Sequence, residues 1–403
     1  MHEVLSSVRV LEYSQSVAGS FCARLLADLG AEVIKIEPPG GGDPARARGP
    51  FPGDVPHPER SGLFLHLNTN KLGITLSLAS VAGRDMFLEL VKGIDVLIED
   101  TTPGTMGGMG LGWETLSGLN PGLIMTSITP YGQTGPYGNY RAYHLNFFQA
   151  SGQAYHLLAE DQPPGREPLV VGGNTAHCDA GLSAALATLG ALYDKGITGQ
   201  GQHIDVSEQE SSLALLRVEA GMHANLDIGD GSGKRGGPKK MAGGMIECQD
   251  GYVMTCTQQD HQWWALHRLV GSPELDPEWA KDRDSRIAHV KDLDGLIAPW
   301  MAEHSKEEIY HQGQALSCPV APVESPEDLM KSVQLQARGF FREVEHPVAG
   351  RFKYATVPYG FSETPCRIAR AAPLLGEHNE EVYCGRLGCT KDDLVKLRQA
   401  GII

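Results

Sequence analysis

The sequence has no CxxC pair, no cysteine and histidine spacing suited to zinc, and no run approaching the roughly 18 apolar residues that a membrane helix needs. Its eight cysteines, at 22, 178, 248, 256, 318, 366, 384 and 389, are scattered, which argues against a disulfide framework or a structural metal and reads as a set of reduced thiols. The opening MHEVLSSVRV lacks a basic stretch followed by an apolar one, so neither a signal peptide nor a membrane anchor is expected, and the expected compartment is the cytoplasm. Positive charge is also scarce. With 34 Lys and Arg against 49 Asp and Glu, the formal charge is −15, which disfavours nucleic acid as a partner. No GxxxxGK[ST] loop, HExxH pair or ordered Ser/His/Asp set can be placed.

What remains is a globular composition, 403 residues with 41% hydrophobic and 21% charged, long enough for two or three domains. Short β-branched runs alternate with helical patterns: 8–13, 32–37, 73–78, 95–100 and 123–129 read as strands. Residues 19–30 and 81–91 read as helices between them, because Phe21, Leu25, Leu26 and Leu29 recur at helical spacing. A long apolar segment, 180–192, precedes a further strand in HIDVSE, so the first 210 or so residues predict a parallel α/β sheet. The Gly- and Lys-rich stretch 229–244 breaks this pattern. A smaller α+β region then carries Trp263, Trp264, Trp279 and Trp300, and proline turns, a strand-like 346–361 and a last helix near 390–399 follow.

Several motifs bear on chemistry. In PPGGGDPAR (38–46) the glycines read first as a turn, though Arg46 and Arg48 lie within reach of a phosphate. Gly236, Gly237, Gly243 and Gly244 form a linker or a lid, beside the cationic run Lys234, Arg235, Lys239 and Lys240. His144 and His177 are the histidines with polar neighbours, the latter in GGNTAHCDAGLSAAL with Cys178 and Asp179.

Taken in order, the stretches VRVLEYSQSVAGSFCARLLADLGAEVIKIEPPGGGDPAR, LNTNKLGITLSL, DVLIEDTTPGTMGGMGLGWETLSGLNPGLIMTSITPYGQTGPY, TGQGQHIDVSEQE, CPVAPVESPEDLM, QLQARGFF and APLLGEHNEEV resemble a family III CoA-transferase. The resemblance extends over nearly the whole chain. It implies a large Rossmann-like domain built from both chain ends (1–224 and 326–403), a smaller α+β domain at 225–325, and two chains interlocked as rings. It further implies a CoA thioester as substrate, no permanently bound cofactor, and covalent chemistry. In active members an aspartate attacks an acyl-CoA to form a mixed anhydride, CoA returns to form an aspartyl thioester, and an acceptor acid takes the CoA.

The family aspartate stands four residues before a Gly-Leu pair, and counting back from Gly181 and Leu182 reaches His177. Asp179 is the fallback nucleophile if the helix start shifts, and Glu208 or Glu210 are further carboxylates that could replace the aspartate in space. The implied substrate-pocket positions are Val17, Ala18, Arg46, Lys71, Leu72, Asp100, Thr101, Gly108, His144, Gly236 and Gly237. Among them Asp100 and Thr101 stand where relatives carry Asn-Phe, and Gly108 and Leu72 where relatives carry arginine.

These departures lead to the expectation of a non-nucleophilic subunit in a heteromeric transferase, paired with a homologous aspartate-bearing chain as a heterodimer or heterotetramer. The likeness is nearest to the non-catalytic-type subunits of succinyl-CoA:(R)-benzylsuccinate CoA-transferases of anaerobic toluene breakdown. Two alternatives stay open: an acyl-CoA racemase- or lyase-like enzyme using His144 or His177 as acid and base, and a self-sufficient transferase using Asp179.

Overall fold

The computed structural model describes residues 3–156, 169–216, 221, 225, 242–272 and 274–403. They fall into two compact units: Met1–Leu157 with Pro168–Gly221 and Gly339–Ile403, and Leu158–Glu167 with Met222–Arg338.

The larger unit is organised by six strands, β1 (Arg9–Tyr13), β2 (Glu32–Glu37), β3 (Lys71–Thr75), β4 (Val96–Glu99), β5 (Ile124–Thr129) and β6 (His203–Ser207). Their spatial order is β3-β2-β1-β4-β5-β6, and every pairing is parallel. The order reverses between β1 and β4. In sheets of this kind ligands settle at such a switch point, outside the carboxyl ends of the strands.

The helices of this unit are α1 (Val17–Asp28), α2 (Gly62–Leu67), α3 (Val81–Val91), α4 (Thr105–Gly108), α5 (Trp113–Leu119), α6 (His144–Ala150), α7 (Gln153–His156), α8 (Thr175–Thr198) and α9 (Glu208–Leu213). Ser16 caps α1, its side chain accepting from the Gly19 amide. On α8, Ala180, Gly181, Ala184, Ala185 and Ala191 are buried, a face of small residues that lets the helix approach α1 closely. A Cβ at Gly181 would stand 2.7 Å from the Ala18 carbonyl oxygen, so only glycine fits at the crossing.

Both ends of the chain complete this unit, as the resemblance implies. The hairpin of β10 (Phe341–His346) and β11 (Gly350–Ala355) and two terminal helices, Asn379–Leu387 and Lys391–Gln399, follow residue 338. Tyr383 donates to the Thr75 carbonyl at 2.6 Å, and Asn379 accepts from the Thr75 amide at 2.9 Å, which ties the carboxyl-terminal segment to β3.

The smaller unit has its own antiparallel sheet of β7 (Gly244–Cys248), β8 (Gly251–Thr255) and β9 (Val320–Pro322). Trp263, Leu266, Leu293, Ile297, Met301 and Ile309 form its core beneath that sheet. It continues past the boundary expected at 325 to Arg338, because Lys306 pairs with Asp328 at 2.6 Å and holds the helix Pro326–Lys331 within it. The expected glycine loop with Gly236 and Gly237, and the neighbouring Lys234, Arg235, Lys239 and Lys240, lie outside the described residues.

Candidate active site

The helices α1, α6, α8 and α9 all begin at the carboxyl edge of the sheet, and the chemically distinctive side chains of the larger unit meet there. His177 lies in the first turn of α8. Its Nδ1 is 2.6 Å from Oε1 of Glu208, the residue that opens α9 directly after β6. The imidazole is 15% exposed and the carboxylate 5%, so the carboxylate is screened from water while the ring keeps an open edge.

Phe147 of α6 meets the His177 ring edge-on at 5.0 Å between centroids, and His144 lies 5.5 Å from it. His144 Nε2 accepts from the Ala176 amide at 3.3 Å, which ties the start of α6 to the first turn of α8. Burial, and then the neighbouring His177 ring, hold His144 below the ordinary imidazole pKa.

The other residues of this turn are arranged differently. Asp179 is two positions along the helix from His177, about 200° around it at 100° per residue, and burial raises its carboxyl pKa. Burial raises the Cys178 thiol as well, which disfavours a reactive thiolate. Glu210 is exposed. Of the three carboxylates named as alternatives to His177, Glu208 is the one hydrogen-bonded to it.

At the switch point, the Asp100 carboxylate is turned onto the amino terminus of α1. Its oxygens accept from the Gln15 amide at 2.9 and 3.1 Å and from the Ser16 amide at 2.7 Å. That is where sheets of this type hold a phosphate, so the chain places its own anion on the site. Burial outweighs these hydrogen bonds and pushes the Asp100 carboxyl up to about 6. Thr101 turns away from this position, its amide and hydroxyl both donating to Glu99 at 2.8 and 2.6 Å.

Several expected pocket residues sit elsewhere. Arg46, expected at a phosphate, is buried and grips Glu37 through two nitrogens at 2.6 and 2.8 Å, pairs with Glu59 at 2.6 Å, and stacks on Phe64. A guanidinium so committed has no fork left for a ligand. Lys71, expected at CoA, is buried beneath α1. There it bonds Glu12 at 2.7 Å, the Ser20 carbonyl at 2.8 Å and Asn68 at 2.9 Å.

Lys35 completes that cluster, pairing with Glu12 and with Asp43, each at 2.7 Å. Leu72 is core, packed with Ile34 and Ile74. Val17 and Ala18 are buried in the first turn of α1, where α8 crosses it. Gly108 ends α4 with open space around its Cβ position, so a longer side chain fits there.

Arg48 keeps an accessible charge. It is exposed and donates to the Asn174 side chain at 3.3 Å, and Asn174 is the residue that precedes α8. Sequence reasoning paired it with Arg46, but one is buried in carboxylates while the other stands at the mouth of the histidine site. Glu208, named in the sequence only as a carboxylate that could replace the aspartate in space, holds the His177 ring through a hydrogen bond that the sequence did not foretell. Its signal was positional, an acid directly after a strand at the carboxyl edge of a parallel sheet.

Among the described residues no group of side chains is arranged to hold a metal ion, and no helix is long and apolar enough to cross a membrane.

Known proteins resemble this chain along its whole length. It is 32% identical to a formyl-CoA:oxalate CoA-transferase of Streptomyces coelicolor, covering 100% of this chain and 99% of that one. It is 33% identical to a succinyl-CoA–D-citramalate CoA-transferase of Chloroflexus aurantiacus, covering 99% and 98%. A crystal structure of a CAIB/BAIF family protein from Brucella suis superposes with a TM-score of 0.83 at 28% identity, covering 96% of this chain and 100% of that one. The sequence pattern of CoA-transferase family III runs from residue 5 to residue 379, and this chain belongs to that family of enzymes.

Proposed function

We propose that this chain handles acyl-CoA thioesters in the cytoplasm as the non-nucleophilic half of a heteromeric CoA-transferase. CoA would pass from an acyl-CoA such as succinyl-CoA to a carboxylic acid, (R)-benzylsuccinate being the acceptor we favour, and a homologous sister chain would supply the aspartate. The observation that carries this reading is the imidazole at position 177, held at the start of α8 by Glu208. An imidazole can be acylated, but it cannot store CoA as a stable thioester, so the anhydride and thioester sequence has no carrier there.

An unpaired face of α8 supports a partner chain. Leu182, Leu186, Tyr193 and Ile197 are each more than half exposed. Their spacing of four, seven and four residues places them on one side of the helix, a stripe too apolar for a helix facing water. Interlocked chains would cover it.

The test is to incubate the chain with succinyl-CoA, treat it with hydroxylamine, and search its peptides for a hydroxamate. None is expected from the chain alone, with transfer activity appearing when an aspartate-bearing sister chain is co-expressed. Full turnover by the lone chain would defeat the reading, and a hydroxamate on Asp179 would assign a self-sufficient transferase.

The contact between His177 and Glu208 also favours a second reading, acid and base catalysis at the α-carbon of an acyl-CoA, since a histidine so held is suited to proton transfer. Solvent deuterium entering that carbon, and ceasing to do so in His177→Ala, would select it.

A further inference from the structure

Position 177 retains a complete piece of chemical machinery, even though it is not the one the family's transfer reaction uses. The buried Glu208 carboxylate receives Nδ1–H of His177 at 2.6 Å, which fixes the tautomer and leaves the lone pair on Nε2. Phe147 restricts the ring from one side. His144 has its own Nε2 occupied by the Ala176 amide, so it holds the first turn of α8 in place and does not compete for the proton at that atom. A histidine oriented by a buried acid, with its distal nitrogen open, is the arrangement that makes a general base.

From this geometry we infer that His177 and Glu208 form a general-base pair that delivers water to the carbonyl carbon of an acyl-CoA thioester, giving this chain a thioester-hydrolysing activity of its own. The inference rests on the reading that acyl-CoA reaches the start of α8. In the family the side chain at this position attacks the thioester carbonyl, so a base in its place addresses the same carbon, and water is the nucleophile it can supply.

The step is balanced without any co-reactant beyond water. Nε2 takes a proton from water as the water oxygen bonds to the carbonyl carbon. The tetrahedral species collapses with cleavage of the C–S bond, and the sulfur leaves with the bonding pair and takes the proton back from Nε2. The products are the carboxylic acid and CoA with a free thiol. His177 is the catalytic residue and Glu208 a positioning residue that acts through it.

The experiment follows thiol release from succinyl-CoA by the full chain, in the assembly in which it purifies, alongside calorimetric binding of CoA. Release above the uncatalysed blank is expected. His177→Asn, which preserves a donor toward Glu208, should lower it by about 10²- to 10⁴-fold. His177→Ala should recover part of the rate when free imidazole is added, a response that a purely structural histidine would not give. Glu208→Gln should lower kcat with little change in KM.

Binding of CoA without thiol release, or release that His177→Asn leaves intact, would overturn the inference while sparing the acyl-CoA reading. Absence of binding would overturn both. A hydroxamate on Glu208 after hydroxylamine treatment would overturn it too, because the carboxylate would then be a nucleophile and not a positioning group.

Discussion

Consider His177→Asp. An aspartate oxygen is attached through the same Cβ–Cγ path as Nδ1, so in the present rotamer it would come to lie near the 2.6 Å that now separates Nδ1 from Glu208 Oε1. Two carboxylates so placed cannot both ionise at neutral pH. At an effective dielectric of about 20, like charges about 4 Å apart repel by about 4 kcal/mol. At 1.36 kcal/mol per unit this is about three pKa units, which lifts one member of the pair from about 4 to about 7.

At pH 6, between the two steps of the pair, one proton is shared by the two carboxylates, so the single variant would present an ionised nucleophile in about half of molecules. His177→Asp with Glu208→Gln removes the second charge and offers an amide donor to the new carboxylate, which should be almost fully ionised at that pH. Hydroxamate capture from succinyl-CoA, read by peptide mass spectrometry, should be absent in the parent protein. It should be present in the single variant at pH 6 and about twofold stronger in the double variant, with the gap closing by pH 8. Equal capture by both variants at pH 6 would refute the coupling to Glu208. No capture by either folded variant at any pH would refute the placement of the family nucleophile at 177.

Four further outcomes are expected. Asp100 carries a carboxyl pKa raised to about 6 against about 4 unfolded, so the folded chain holds a proton that the unfolded chain has released. Its contribution is complete below about pH 4 and is lost as pH rises through 6, at most about 3 kcal/mol. Asp100→Asn should thus gain on the parent in urea midpoint between pH 4 and 7, and parallel pH profiles would contradict this. Glu12→Gln would leave Lys35 and Lys71 buried together without their shared carboxylate; denaturant unfolding should show a loss of about 3–5 kcal/mol, and a loss below 1 would count against the cluster. Gly108→Arg enters open space and should leave the unfolding midpoint unchanged while tightening CoA binding most at low salt; a salt-independent Kd would count against a CoA phosphate there. Arg48→Met should raise KM several-fold for succinyl-CoA but not for a monocarboxylic acyl-CoA, and equal changes would show that Arg48 does not meet the free carboxylate.

The periodicities that made the strands and helices legible are those of burial. EVIKIE and the strand in HIDVSE are apolar enough to declare a parallel sheet, and their observed spans, Glu32–Glu37 and His203–Ser207, match the runs almost residue for residue. The run expected at 73–78 is observed at Lys71–Thr75, a strand that begins two residues earlier with a buried lysine bonded to Glu12. The register that puts His177 at the start of α8 was legible for the same reason, since the alanines and Gly181 that pack on α1 fix the helix face.

Charge pairing was not legible. Arg46 read in the sequence as within reach of a phosphate and Lys71 as a substrate-pocket position, yet each is neutralised by an acid that lies far from it in the chain or is unremarkable in its own right: Glu59 and Glu37 for the one, Glu12 for the other. Asp100, which read in the sequence as a pocket position where relatives carry asparagine, proves to hold the α1 amides that an incoming phosphate would have used. These groups share one property. At each the chain supplies its own polar partner, an opposite charge for Arg46 and Lys71 and backbone amides for Asp100, and a desolvated charge is tolerable only when it is paired or hydrogen-bonded. Of the positions compared at the carboxyl edge, Arg48 keeps an accessible charge at the residue before α8 and His177 an accessible ring edge in its first turn. An anionic acyl-CoA entering this unit would therefore find its cation and its base at that turn, with the α1 terminus already occupied.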